Sequence, residues 1–219
     1  MERRIQTNPT RRKFLAGTTA GGAVALAGCT GVLGGGSSYD CSGGDGEKVT
    51  EASQPALGPK DAPVTVKVWE DFSCPHCKTF SLEVFPKIRE EYVESGEVRY
   101  EHHDFPIPVR DWAWGASSSG RAVHEATDGE TFFEYAKALF DKQNNYSMGA
   151  VGDSADSAGV EPCTAINAAK GDTYRPVVEA DRQRGQQAGV SGTPAVFVNG
   201  KQPQSKSFEG ISSLIESEL

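Results

Sequence analysis

Two cysteines three positions apart, Cys74 and Cys77, stand where an apolar strand-like run gives way to a long helix-like one. A C-x-x-C spacing at such a junction points to thiol–disulfide exchange. The helix geometry supplies the reason. Pro75 suits the first helical position, where a missing N–H costs nothing, and that makes Cys74 the N-cap. The Cys74 sulfur then faces the unpaired N–H groups of His76 and Cys77 and the positive end of the helix dipole, which favour a thiolate. Cys77 follows about one turn later on the same face, within reach of a disulfide and with its sulfur more buried. His76 is expected to add charge or a hydrogen bond toward the Cys74 thiolate. A free thiol has a pKa of about 8.5, and sites of this kind fall to roughly 3.5–7.5. A drop of three units favours the reduced pair by about 4 kcal/mol, which makes the disulfide an oxidant.

The elements that must hold this pair are legible on either side. Val64, Val66 and Val68 alternate with Thr65, Lys67 and Trp69, a strand pattern. Phe80, Val84, Phe85, Ile88 and Tyr92 follow at helical spacing, stopped near Gly96, and Val98 to His103 reads as a second strand. Strand, helix, strand predicts a right-handed parallel unit with the chemistry beyond the strand C-termini, where Cys74 would lie. Helices are expected over about 112–126, 129–143 and 173–188, with weaker Ala/Asp/Ser stretches around 150–170. Ala195 to Val198 is a short strand, and Asn199-Gly200 signals a tight hairpin. The return strand holds Pro203 and should be an edge. Phe208, Ile211, Leu214 and Ile215 mark a last amphipathic helix.

Asp71-Phe72-Ser73-Cys74-Pro75-His76-Cys77, Gly96-Glu97-Val98 leading to Asp104-Phe105-Pro106, and Gly189-Val190-Ser191-Gly192-Thr193-Pro194 together resemble thiol–disulfide oxidoreductases of the DsbA type. The resemblance covers roughly residues 57–219. It implies an α/β thioredoxin-like fold with an inserted helical subdomain, about 111–189. It also implies a cis bond at Thr193-Pro194, packed against the cysteine pair. Proline is almost the only residue that tolerates a cis peptide, and it brings no metal-binding group to two reactive sulfurs. The Thr193 backbone is left free for strand-like pairing with an extended substrate. One position departs from the family. A buried acid often stands six residues before the first active cysteine, and here that residue is Val68. Glu70 and Asp71 are near but not at the matching place, so the proton-transfer group for Cys77 is open.

Ahead of the domain, Thr10-Arg11-Arg12-Lys13-Phe14-Leu15 looks like a twin-arginine export signal, followed by a short apolar run to Gly28. Leu26-Ala27-Gly28-Cys29 resembles a lipobox, in which the peptide is cut before the cysteine and the cysteine receives a lipid. The expected division is therefore a signal peptide over 1–28, a flexible Gly/Ser-rich linker over 29–57 and the redox domain over 58–219. The alternative for the first segment is an uncleaved anchor helix. Export would put the domain in a compartment where disulfides persist, tethered to a membrane through Cys29. From Cys29 on the chain has 17 basic and 29 acidic residues, which argues against nucleic acid as a partner.

The function these readings support is an extracytoplasmic oxidoreductase that passes the Cys74–Cys77 disulfide to reduced or misfolded exported proteins. It would work through a mixed disulfide at Cys74, the better leaving thiolate, and a separate redox partner would restore the pair. No cofactor and no metal is needed. The same site run backwards is a reductase or isomerase. A copper-handling protein using Cys74, Cys77 and His102 or His103 is a different class, set against an ordinary His pair on a strand. A tethered binding domain without turnover is a third. Cys41 and Cys163 are either a bridge from linker to helical insert or two free thiols.

Overall fold

The computed structural model describes residues 37–43, 46–108 and 110–219. The twin-arginine stretch, the apolar run and Cys29 lie outside the described residues. Four strands form one sheet in the order β1-β3-β2-β4: β1 Ala56–Leu57, β2 Val64–Glu70, β3 Val98–Asp104 and β4 Ala195–Val198. β2 and β3 run parallel from Val64↔Val98 to Glu70↔Asp104, and β4 lies antiparallel to β2 on its other side. The Val alternation of β2 buries Val64, Val66 and Val68 completely and leaves Lys67 exposed. Past Lys67 the alternation ends and every β2 residue is buried, because a helix covers the second face there. That helix is α7, Arg175–Gln187, and its Gly185 lies where a Cβ would come within 2.8 Å of Trp69 and Phe105 side-chain atoms.

The run after Cys74 is a helix, but not a uniform one. It passes from α1, Pro75–Thr79, through a wide π turn at Phe80–Val84 into α2, Phe85–Ile88, and a second π turn at Arg89–Val93. Pro86 gives a physical reason for the first widening. It has no N–H for the carbonyl four residues back, and the preceding Phe85 N–H reaches back five residues to Phe80. Gly96, at φ 83°, ends the run with the left-handed turn that its lack of a Cβ allows.

The helical insert comprises α3 Ala113–Ala126, α4 Gly129–Asp141, α5 Met148–Ser157, α6 Pro162–Gly171 and α7. The stretch that reads weakly in the sequence thus holds two full helices. Its small residues are what permits close packing: a Cβ on Gly115 of α3 would stand 3.2 Å from the Ala169 carbonyl of α6. Ser147 and Glu161 cap α5 and α6 by accepting the Ala150 and Thr164 N–H groups. The last helix, α8, spans Phe208–Glu218 behind an N-cap at Ser207.

Two expectations need correction. Asn199 and Gly200, at φ 46° and 81°, make the tight turn, but the return strand reduces to a single bridge between Val198 and Lys201. Pro203 has no N–H with which to extend it. The expected flexible linker is also different in its described part, where from Ser37 onward the chain is bound to the domain. Tyr39 Oη donates to Asp153 at 2.8 Å, Val49 N–H to the Thr173 carbonyl at 2.9 Å, and Pro55 accepts from His102 N–H at 2.9 Å. Cys41 is bonded to Cys163, with Cα atoms 5.3 Å apart. A cross-link and backbone pairing order a segment whose composition has little to bury.

Candidate active site

Cys74 leaves β2 in extended conformation, φ −85° and ψ 121°, and caps α1 with Pro75 in the first turn. Its carbonyl accepts the Cys77 and Lys78 N–H groups at 3.0 and 3.1 Å, and its own N–H donates to the Asp71 backbone carbonyl at 2.9 Å. The strand-to-helix turn is clamped from the insert. Gln143 Nε2 donates to the Phe72 and Cys74 carbonyls at 2.7 and 3.0 Å, and Tyr146 Oη to Phe72 at 2.7 Å. Asp71 closes the turn from below, accepting the Ser73 and Ile107 N–H groups at 2.7 and 3.0 Å. Burial nonetheless holds the Asp71 carboxyl above the usual carboxylate range.

Cys74 and Cys77 are both free thiols, and their environments push them apart. A hydrogen bond from the Cys77 thiol is the largest influence bringing Cys74 down to about 4, against its partial burial. The Thr193 side chain and the backbone N–H groups of Cys77 and His76 lower it further. Cys77, fully buried, is pushed well up by desolvation, by that same hydrogen bond and by the Glu70 charge. The His76 backbone N–H acts on the sulfur as the N-cap geometry implies, and the His76 side chain is exposed beside it.

Thr193 and Pro194, joined by a cis peptide bond, lie against the first cysteine. As a thiol, Cys74 Sγ donates to the Thr193 carbonyl at 3.5 Å. As a thiolate it needs a donor instead, and the buried Thr193 hydroxyl has no other partner among the described residues. The sequence elements at 74–77 and 193–194 are thus brought together, although more than 100 residues separate them.

His102 and His103 face opposite sides of the sheet. His103 stacks on Trp69 at 4.7 Å and bonds Asp181 through Nδ1 at 3.1 Å. His102 is held between Glu70, 3.3 Å from Nδ1, and Asp104, 3.4 Å from Nε2. Burial alone would lower its pKa, but Asp104 and Glu70 outweigh that and raise it to about 9. Both histidines are spent on carboxylates, and no cluster suited to a metal ion occurs among the described residues.

The sequence reading missed what joins these groups. Glu70 accepts from Ser81 Oγ at 2.7 Å as well as meeting His102, and Asp104 accepts Arg121 Nε at 2.6 Å. Arg121, 1% exposed, also bonds Asp181 of α7. The result is a buried polar chain from beneath Cys77 across the sheet. A cavity of about 190 Å³, lined in part by Phe85, Tyr100 and Phe133, reaches Glu70, Ser81 and His102. The only local signal for it was His102-x-Asp104, two polar residues on one face of a strand.

Residues 50–217 match the family model described as thioredoxin. The chain is 31% identical over 173 residues to disulfide bond formation protein D of Bacillus subtilis, covering 76% of this chain and 77% of that protein. Among solved structures, oxidised BdbD of Bacillus subtilis superposes with a TM-score of 0.69 at 29% identity, covering 79% of this chain and 98% of that one. DsbA of Chlamydia trachomatis shares the fold with a TM-score of 0.69 at 21% identity, covering 77% and 93%.

Proposed function

Since this chain belongs to the thioredoxin family and is a DsbA-type protein thiol–disulfide oxidoreductase, we propose that it works in the oxidising direction, donating the Cys74–Cys77 disulfide to exported client proteins. The observation that carries this reading is the split between the sulfurs, Cys74 brought down to about 4 and Cys77 pushed up. A client thiolate attacks Cys74 Sγ. The Cys74–Cys77 bond breaks, its electron pair goes to Cys77, and a client–Cys74 disulfide forms. A second client thiolate then attacks the client sulfur, and Cys74 leaves as a stable thiolate. The client is oxidised by two electrons and the pair is reduced by two. Cys77, with its raised pKa, takes up one proton.

Glu70 supports a route for that proton. It lines the cavity and is held by Ser81 and His102 on the sheet face that packs under Cys77. It stands two residues after the position where Val68 replaces the family's acid. In this reading Glu70 exchanges the Cys77 proton with solvent while His102 keeps the carboxylate in place.

The test is oxidative refolding of reduced ribonuclease by the oxidised enzyme, with the equilibrium constant of the pair measured against glutathione. A stoichiometric burst of client disulfides and a pair far easier to reduce than a structural disulfide are expected. A potential in the structural range, or crosslinking no faster than air, overturns the oxidant reading. The twin-arginine stretch and Cys29 support export and lipid attachment at Cys29, with the membrane as anchor and a separate redox protein as the source of oxidising equivalents. Cys29→Ser should move the protein from the membrane fraction to the medium; unchanged fractionation removes the lipid anchor from the account.

A further inference from the structure

Two hollows of about 320 and 200 Å³ flank Thr193-Pro194, and Lys206 lines both. The first is walled by Phe80 and Val84 and by His76 beside the reactive cysteine. Neither hollow has a carboxylate in its lining. That is a departure for a chain with 29 acids and 17 bases from Cys29 on. Glu83 and Glu209, near Val84 and Lys206 in sequence, are exposed and lie outside the linings. Lys206 has no ion pair or hydrogen bond among the described residues, whereas Lys67 meets Glu101 and Lys201 meets Glu218. The backbone of Thr193 likewise makes no backbone hydrogen bond among the described residues.

From these observations, and resting on the disulfide-donor reading above, we infer that the groove selects extended client segments carrying an aspartate or glutamate within two residues of the reactive cysteine. A client strand pairs with Thr193 and brings its cysteine to Cys74. Side chains two positions away project to the same side of the strand. On one side they meet Phe80 and Val84. On the other they meet the hollow beside Val190 and Gln202, and Lys206, a cation unpartnered among the described residues, lines both hollows. A client carboxylate there gains an ion pair, and a client lysine meets a like charge.

The experiment offers the oxidised full chain two reduced peptides, each with two cysteines able to pair, that differ only at the positions two before and two after the first cysteine, both Asp in one and both Lys in the other. At low ionic strength the acidic peptide should reduce the Cys74–Cys77 disulfide, in a single turnover, with a second-order rate constant about two- to fivefold higher, the range of an exposed ion pair. The ratio should fall toward one near 1 M salt, where the screening length is about 3 Å. Lys206→Glu should reverse the preference. Lys60→Glu, the same charge change at the opposite end of β2, should keep it. Equal rates for the two peptides overturn the inference. So does a preference that survives Lys206→Glu, or one that Lys60→Glu abolishes equally, which would assign it to the overall field. If neither peptide is oxidised while glutathione still exchanges with the pair, the protein-client reading itself falls and this inference with it.

Discussion

Cys74 and Cys77 have the same side chain and opposite chemistry. One sulfur caps a helix and meets donors from Cys77 and Thr193; the other is sealed under the same helix beside a carboxylate. The leaving group and the proton-accepting thiol are therefore assigned by position alone. Glu70 is where the proton argument is exposed to test. In Glu70→Gln the amide keeps the shape but cannot take up a proton. Rates of exchange with glutathione should drop roughly a hundredfold, at the low end of the 10²–10⁴ that a positioned acid or base contributes. The pH profile of the Cys77 step should flatten, while the Cys74 titration stays near 4. A lower rate with an unchanged pH profile would mean that Glu70 only supports the packing.

At the scale of elements, three distant segments converge on the sheet through Arg121 of α3, Asp104 of β3 and Asp181 of α7. Removing one partner from such a buried set leaves an uncompensated charge, which is why these contacts hold the insert in one position. The Cys41–Cys163 bond acts differently. It joins the segment before the domain to α6 across 122 residues of sequence. Its effect is mainly to reduce the freedom of the unfolded chain, by up to about 5 kcal/mol for a loop of that length and more often 2–4. The double variant Cys41→Ser, Cys163→Ser should therefore lower the free energy of unfolding by an amount in that range, seen as a lower denaturation midpoint. Proteolysis should begin between Ser37 and Val49. The Cys74 titration should stay where it is. A midpoint that does not change would show that the hydrogen bonds of Tyr39 and Val49 suffice to hold this strap.

For the whole molecule, the buried charges make stability a function of pH. His102 has a folded pKa raised to about 9 by Asp104 and Glu70, against about 6.5 unfolded. Its contribution is complete below about 6.5 and is lost as pH rises through 9. Cys74 has the opposite sign: brought down to about 4 when folded, it stabilises the reduced protein above its unfolded pKa of about 8.5, and the contribution is lost as pH falls through 4. Denaturant titrations of both redox forms separate the two. The disulfide form should lose on the order of a few kcal/mol between pH 6.5 and 9. The reduced form should gain on it across pH 4 to 8.5. A flat profile for the disulfide form would mean that His102 is neutral when folded.

The site was legible where its determinants are local. Cys74-Pro75-His76-Cys77 encodes an N-cap and a redox spacing within one turn, and valine alternation, Pro75 and Asn199-Gly200 fix strand, helix start and turn through backbone preferences of adjacent residues. Even the helices over 148–171 are local structures, obscured because small residues have little hydrophobic contrast. What only the tertiary structure decided depends on groups far apart in the chain. These are the bonding of Cys41 to Cys163, the lodging of residues 37–43 and 46–57 on the domain, the Glu70–His102–Asp104–Arg121–Asp181 chain under the active helix, and a groove around Lys206 without acids. The periodicity of a sequence records which face of an element is buried. It does not record which distant charge that face will meet, because that follows from how the elements pack.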